Sequence, residues 1–479
     1  MRNGMVAKQT KDCAGLPISR IETIAAGSID SNRIGYSNDV SAKNAETYRL
    51  KNGDILFSHI NSPSHLGKTA IYEGRPETLY HGMNLLMLQA RQGLATAHYL
   101  EAALRFLRVS GTFSLVAQHA VNQASINQKK LSALKIPLAP LAEQKRIADK
   151  LEAVLGRVDA CRTRLDRVPV LLKRFRQSVL AAATSGKLTE EWRYSSGSES
   201  AQHLVSLIAQ AQEEALIKIR GGRIEPAIQD LQHEIDLPDK WVVAGFDSLA
   251  EALPNALKAG PFGSALKKSM YSPNGYKIYG QEQVIAGDEN FGDYFINQAK
   301  FDDLSSCAVK PGDILISLVG TIGRVLILSQ KCQPGIINPR LVKLSLHSSI
   351  CREYIALYLR SPLAQAFFSS KSHGGTMDIL NLGLLRELPI LLPPLPEQQE
   401  IVRRVEALFA FADRIEARLA TAQKTAERLT PATLAKAFRG ELVPQDPNDE
   451  PAAELLERIA SLKDITPAKK VRAKPGRCS

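Results

Sequence analysis

A chain of 479 residues is too long for one compact core and divides into two or more domains. Its 44% hydrophobic content is that of an ordinary globular protein, while 61 Lys+Arg against 49 Asp+Glu leave a formal charge of +12 that favours an acidic partner, a duplex backbone being the commonest. There is no apolar run of about 20 residues, no polybasic amphipathic helix and no signal-peptide succession, which excludes a membrane partner and points to a cytoplasmic protein.

In chain order, the first element with a clear signature is the Lys51-Asn52-Gly53-Asp54 turn, which predicts a short buried strand from Ile55 to Ser58. A Pro-rich hinge ends at Pro140. From Leu141 the apolar residues Ile147, Leu151, Val154, Val158, Cys161 and Leu165 alternate in steps of three and four, as a helix–helix seam requires. Pro169 marks the break of that helix. A connector follows from 194 to 236, with a polar start at Ser195-Ser196-Gly197-Ser198, one helix to Ile219 and a Gly221-Gly222 stop.

From Leu237 to Pro394 the chain reads again as mixed α and β. Lys310-Pro311-Gly312-Asp313 leads into Ile314 to Ser317, a further strand is expected from Ile336 to Leu344, and Glu353 to Phe368 reads as an amphipathic helix. After a second Pro-rich hinge, Ile401, Val405, Leu408, Ala412, Ile415 and Leu419 repeat the helical seam, and Thr430-Pro431 predicts a break with Thr430 as N-cap. A small helix and a basic tail with Lys469, Lys470, Arg472, Lys474 and Arg477 close the sequence over 446–479.

The chain is thus written twice. Pro140-Leu141-Ala142-Glu143-Gln144 returns as Pro394-Leu395-Pro396-Glu397-Gln398, and Gly186 returns as Gly440; 395 less 141 and 440 less 186 both give 254, so the helical part has kept its length. The Gly-Asp turns differ by 259, so loops changed length upstream. Ala14-Gly15 with Arg20, Glu22 and Gly27 echoes Asn274-Gly275 with Gly280, Glu282 and Gly287, and Ala201, Leu204 and Ile208 echo Ala452, Leu455 and Ile459. The simplest burial for the two seams is helix one against helix two about an approximate two-fold axis, in the antiparallel sense that throws the variable parts to opposite ends. The first copy is short: 14 residues precede Gly15, whereas 38 run from Leu237 to Asn274, a shortfall of 24. Either the start lies upstream or the first domain lacks its opening strand, which bears on its ability to fold and read DNA.

At Ile136 to Gln144 and Arg176 to Thr189, and in more diverged form at Ile390 to Gln398 and Thr430 to Leu442, the sequence resembles the specificity subunits of type I restriction-modification enzymes. The resemblance implies an α+β chain. Two mixed α/β target-recognition domains would be separated by two long helices packed as an antiparallel coiled coil, with a pseudo-two-fold internal repeat. The corresponding boundaries are 1–140 for the N-terminally short first domain, 141–193 for the first spacer, 194–236 for the connector, 237–394 for the second domain, 395–445 for the second spacer and 446–479 for the tail. It further implies a split target in double-stranded DNA and two docked methyltransferase subunits. Motor-nuclease subunits would join them, with S-adenosylmethionine, ATP and Mg²⁺ on those partners and no cofactor in this chain.

Beside that resemblance, the catalytic motifs that come nearest are incomplete. Asn338-Pro339-Arg340 lacks the second proline and the aromatic of an amino-methyltransferase loop. Gly67-Lys68-Thr69 lacks the first glycine of a P-loop, Ser62 standing there, and its counterpart Gly323-Arg324-Val325 drops the pattern. Cys13, Cys161, Cys307, Cys332, Cys351 and Cys478 form no CxxC pair and have no His at ligand spacing, so they read as reduced, mostly buried thiols and not as a metal site. The competing readings are a structural or regulatory coiled-coil scaffold with degenerate DNA reading, and a stand-alone enzyme.

Residues able to meet DNA are clearer in the second domain. Lys258, Gly260, Gly263, Ser264, Lys267 and Lys268 make a glycine-bearing basic loop suited to phosphates. Gln281, Gln283 and Arg340 can bond base edges in bidentate fashion, and His373, Gly374, Gly375 and Thr376 suit a close-approach loop. In the first domain the matching candidates are Arg20, Thr23, His59, Asn61, Lys68, His119 and Asn122.

Overall fold

The computed structural model describes residues 1–8, 10, 15–40, 45–121, 123–197, 199–218, 237–318, 324–371 and 381–464. Two compact units emerge: Met1–Asp166 with Leu419–Ser479, and Arg167–Arg418.

The first unit is built on a four-stranded antiparallel sheet in the order Arg2–Asn3, Leu85–Leu88, Ile55–Ser58, Thr69–Ile71. Ile55 to Ser58 are all buried, because both faces of the sheet are covered. Ile55, Phe57, Leu86 and Leu88 face one cluster, with Leu104, Leu107 and Phe113, while Leu56, Leu85 and Met87 face another, with Ile24, Leu50 and Tyr72. The Gly-Asp turn is a lock: Gly53 sits at φ 88, Asp54 Oδ2 accepts from the Lys51 amide at 2.8 Å and Oδ1 from Gln89 Nε2 at 2.8 Å. Helix α1 (Ala97–Val109) starts at Thr96, whose hydroxyl accepts from the Tyr99 amide at 3.2 Å.

The second unit repeats this sheet as Leu257–Ala259, Leu341–Leu344, Ile314–Ser317, Val325–Ile327. Its turn is locked alike, Asp313 accepting from the Lys310 amide at 2.9 Å and from Ser345 Oγ at 2.6 Å. Register makes the equivalence residue by residue: Asn3 opposes Leu86 as Ala259 opposes Val342, and Arg2 opposes Met87 as Lys258 opposes Lys343. The first unit therefore does form its sheet. What lacks a counterpart among the described residues is the pairing of Val242–Ala244 with Ile390–Leu392. Ile136 and Leu138, which stand where Ile390 and Leu392 do, are half-buried and outside any strand, whereas Ile390 and Leu392 are fully buried.

The first spacer forms α2 (Leu141–Leu165) and α3 (Val168–Thr184), with Pro169 in the first turn of α3. The second spacer differs from expectation. Helix α4 runs unbroken over Leu395–Phe438 with Pro431 inside it, so Thr430 is not an N-cap. A proline there forfeits one backbone bond, but both halves of the helix are held: buried Ala426 accepts from Arg162 on one side, and Leu434 packs with Ile147, Leu151 and Leu155 on the other.

The seam partners also need correction. In the first unit Ile147, Leu151 and Leu155 pack with Leu434, Ala437 and Phe438, and with Tyr99, Ala102 and Ala103 of α1. In the second, Ile401, Val402 and Val405 join Val179, Leu180 and Ala183 of α3. Hydrogen bonds give the sense. Arg162 Nη2 donates to Ala426 O at 2.9 Å and Gln423 Nε2 to Asp166 Oδ1 at 3.3 Å in the first unit. In the second unit Arg176 Nη2 donates to Asp413 and Glu416, at 2.6 and 2.9 Å, and Arg404 Nη1 to Leu188 O at 2.8 Å. Numbers rise along one segment as they fall along the other, so within each unit the packed helices are antiparallel. Val154, Leu165, Leu408 and Ile415 are half-buried, Val158, Ala412 and Leu419 buried, and Cys161 exposed, off the seam.

Candidate nucleic-acid interface

In the second unit the edge strand Leu257–Ala259 runs out into a turn that only glycine can make. A Cβ on Gly260 would lie 1.9 Å from Asn338 O, and the Gly260 amide donates to Leu341 O at 2.9 Å. This contact fixes the 258–268 loop against the loop that carries Arg340, whose amide is held by Asn338 Oδ1 at 2.9 Å. Pro261 and Leu266 are buried on either side of an exposed arc of Phe262, Gly263 and Ser264, and Lys267, Lys268 and Arg340 are exposed. Gly263 takes φ 60, a second position where a side chain would be strained. The result is a rigid, cation-bearing ridge suited to phosphate contacts. Lys258 is half-buried on the edge strand, opposite Lys343.

Gln281 begins the short helix Gln281–Ala286, half-buried, with Nε2 donating to Ser317 Oγ at 2.9 Å. Gln283 is not placed to read bases. It is buried, its Oε1 accepts from the Gly280 amide at 2.8 Å and its Nε2 donates to Phe291 O at 2.5 Å, so both ends of its amide fix the loop. His373, Gly374 and Thr376 lie outside the described residues.

The first unit brings few of its candidates together. Thr23 is fully buried, accepting from the Arg20 amide at 2.8 Å and donating to Arg33 O at 2.6 Å, and so is a turn residue. Arg20 is paired with Glu22 at 3.4 Å. Half-buried Lys68 donates from Nζ to Ala25 O at 2.6 Å, which ties its ammonium to the fold, and burial followed by the nearby Arg108 charge lowers its pKa. Asn61 spends its amide on Ser58 Oγ and the Ser62 amide, at 3.1 and 2.8 Å. His119 is exposed on a hairpin, its Nε2 3.0 Å from Ser114 O, and Asn122 is outside the described residues.

The true counterpart of the 258–268 loop was missed in the sequence. It is Arg2 to Lys8: a Cβ on Gly4 would meet Gly82 O at 1.8 Å, as Gly260 meets Asn338 O. The signal was Arg2-x-Gly4 against Lys258-x-Gly260, too short to show at an offset, 256, that neither of the longer repeats shares.

His59 is half-buried beside His81, which is fully buried, and the Nδ1 atoms of both have no hydrogen-bond partner among the described residues. His81 Nε2 is 3.1 Å from Leu85 O, and burial, reinforced by the charges of His59 and Arg2, lowers its pKa from 6.5 to about 4. The unfolded chain, with an ordinary histidine, binds the proton first as pH falls. Stability is therefore full above about pH 6.5 and is lost as pH falls toward about 4, by roughly 3 kcal/mol if this histidine acts alone. Amide exchange in the Leu85–Leu88 strand is expected to accelerate across that window, and His81→Gln to flatten the dependence.

Among the described residues no cluster of three or more His, Cys, Asp or Glu could hold a metal ion, and no helix is long and apolar enough to cross a membrane.

Comparison with known proteins accords with this duplicated arrangement. The family model for the type I restriction modification DNA specificity domain matches residues 9–169 and again 262–422. The type I restriction enzyme MjaX specificity subunit of Methanocaldococcus jannaschii is 30% identical over 418 residues, covering 85% of this chain and 84% of that protein. The EcoKI specificity subunit of Escherichia coli is 29% identical over 481 residues, 96% of this chain and 91% of its own. A chain from a solved structure of complex assembly and conformational transition in the type I restriction-modification system superposes with a TM-score of 0.56 over 92% of this chain and 96% of that one, at 18% identity, a likeness of fold.

Proposed function

Since the chain belongs to the type I restriction-modification DNA specificity family, we propose that it reads a split DNA target, one half with each unit, and carries no catalytic step itself. The observation that carries this reading is the duplicated glycine-locked loop, Arg2 to Lys8 and Lys258 to Lys268, at the edge of the same sheet in both units. Rigid loops of this kind set backbone amides and cations where phosphates fix register, leaving base edges to neighbouring side chains such as Gln281 and Arg340.

The paired helices α2, α3 and α4 form, in this proposal, an antiparallel coiled coil that sets the distance between half-sites and offers a docking surface to two methyltransferase subunits. The methyltransferase brings S-adenosylmethionine, and motor-nuclease subunits bring ATP and Mg²⁺. A scaffold that no longer reads DNA finds less support, since the first unit keeps both its sheet and its loop.

Changing Lys267 and Lys268 together to Ala tests the phosphate role in the assembled complex. Binding should weaken alike on all sequences, and the slope of log affinity against log salt should fall by about one for each phosphate that is no longer neutralised. A slope equal to that of the unchanged complex would refute the assignment.

A further inference from the structure

Phe262 and Val6 are both 80% exposed, and they occupy the same place in the two units. Each stands two residues beyond the glycine that locks its loop, Gly260 or Gly4. Each follows a buried anchor, Pro261 or Met5, the latter held by its amide donating to His81 O at 2.9 Å. The loops therefore cannot turn these side chains inward without breaking the glycine contact, and the two units, which share little sequence here, both keep an apolar residue in water.

We propose that Phe262 and Val6 make the apolar contacts of the two units with the bases of the duplex. This inference rests on the DNA-reading function above. The surroundings select the partner: Phe262 lies on the loop that bears exposed Lys267 and Lys268, locked to the loop that bears exposed Arg340, and Val6 lies between Arg2 and Lys8, both exposed. A duplex offers anionic rails with an apolar, stacked interior between them. A phenyl ring at the tip stacks on or wedges into a base step, and an isopropyl group meets a thymine methyl. The lysines then supply affinity for any sequence, and these two side chains discriminate.

That division gives a signature that phosphate contacts do not share. In the assembled complex, Phe262→Ala should weaken binding to the cognate duplex about ten-fold, the scale of one base-stacking interaction, with little change on a scrambled duplex and no change in salt slope. Val6→Ala should act in the same direction on the other half-site, so that each variant tolerates base changes in one half only. Phe262→Leu should recover part of the loss. Because both side chains are exposed, truncation leaves no cavity. An unchanged ratio of cognate to scrambled affinity in both variants would overturn the proposal, as would loss of assembly with the methyltransferase at unaltered DNA discrimination, which would place these residues against protein. If the unchanged complex itself fails to discriminate the two duplexes, the DNA-reading function fails, and this inference with it.

Discussion

Four helical residues inserted between Arg164 and Leu165, with four more at the facing point of α4 between Gln423 and Lys424, should lengthen the gap in the recognised sequence by one to two base pairs and leave both half-sequences unchanged. The added length is about 6 Å at about 1.5 Å per residue, against about 3.4 Å per base pair. Two insertions are needed because the segments pack antiparallel, with Arg162 on Ala426 and Gln423 on Asp166. An insertion in one helix alone would allow only one of these two pairings, Arg162 with Ala426 or Asp166 with Gln423, to stay in register. Mapping the methylated motif of an active variant complex reads the outcome: altered half-sequences or an unaltered gap would show that the helices do not set the spacing.

Glu397→Ala should cost the second unit about 3–5 kcal/mol, the range for breaking a buried charge pair by removing one partner. Glu397 is fully buried and accepts from Thr189 Oγ1 at 2.7 Å, from Arg193 Nε and Nη2 at 3.0 and 2.8 Å, and from Trp241 Nε1 at 2.9 Å. Its removal leaves a largely buried guanidinium without its counter-charge, with Gly186 O still accepting from Nη2, and an indole N–H unpaired. Both tryptophans of the chain, Trp192 and Trp241, lie in this unit, so urea unfolding followed by their emission reports it alone. A midpoint within error of the unchanged chain would mean that the cluster does not hold the unit together. Glu397→Gln keeps an acceptor and should fall between the two.

The architecture was legible where repetition constrained length. Pro140 to Gln144 and Pro394 to Gln398 showed two copies, and the structure gives the reason these residues recur. Gln144 is buried and bonds the Thr96 amide and the carbonyls of Leu94 and Ala139, while Gln398 bonds the Cys351 amide and Pro393 O, so each glutamine ties the start of a spacer helix to the domain before it. Helix periodicity located the seam residues but not their partners, because a pattern of apolar steps carries no information about which end of the neighbour it meets. Pro431 was read as a stop, since local chemistry disfavours it in a helix, yet packing on both sides overrode the local cost.

The interface was harder to read. Gln283 and Thr23 have the right chemistry for DNA, but burial turns them into loop braces. Exposure of a single side chain such as Phe262 cannot be inferred from its type, because an isolated Phe in a sequence belongs by default to a core. The equivalence of Arg2 to Lys8 with Lys258 to Ser264 became visible only through strand register.

The central claim is that this chain chooses the DNA sequence on which a type I complex acts, and it is tested most directly by single-molecule mapping of adenine methylation in cells with and without the gene. The expected result is one split motif, two short specified halves around an unspecified gap, that disappears on deletion and returns on complementation. Exchange of the second unit's reading segment, residues 237–394, for that of another specificity subunit should then alter one half of the motif and keep the other. Methylation that is the same with and without the gene, in a cell where the methyltransferase subunit is made and active, would contradict it.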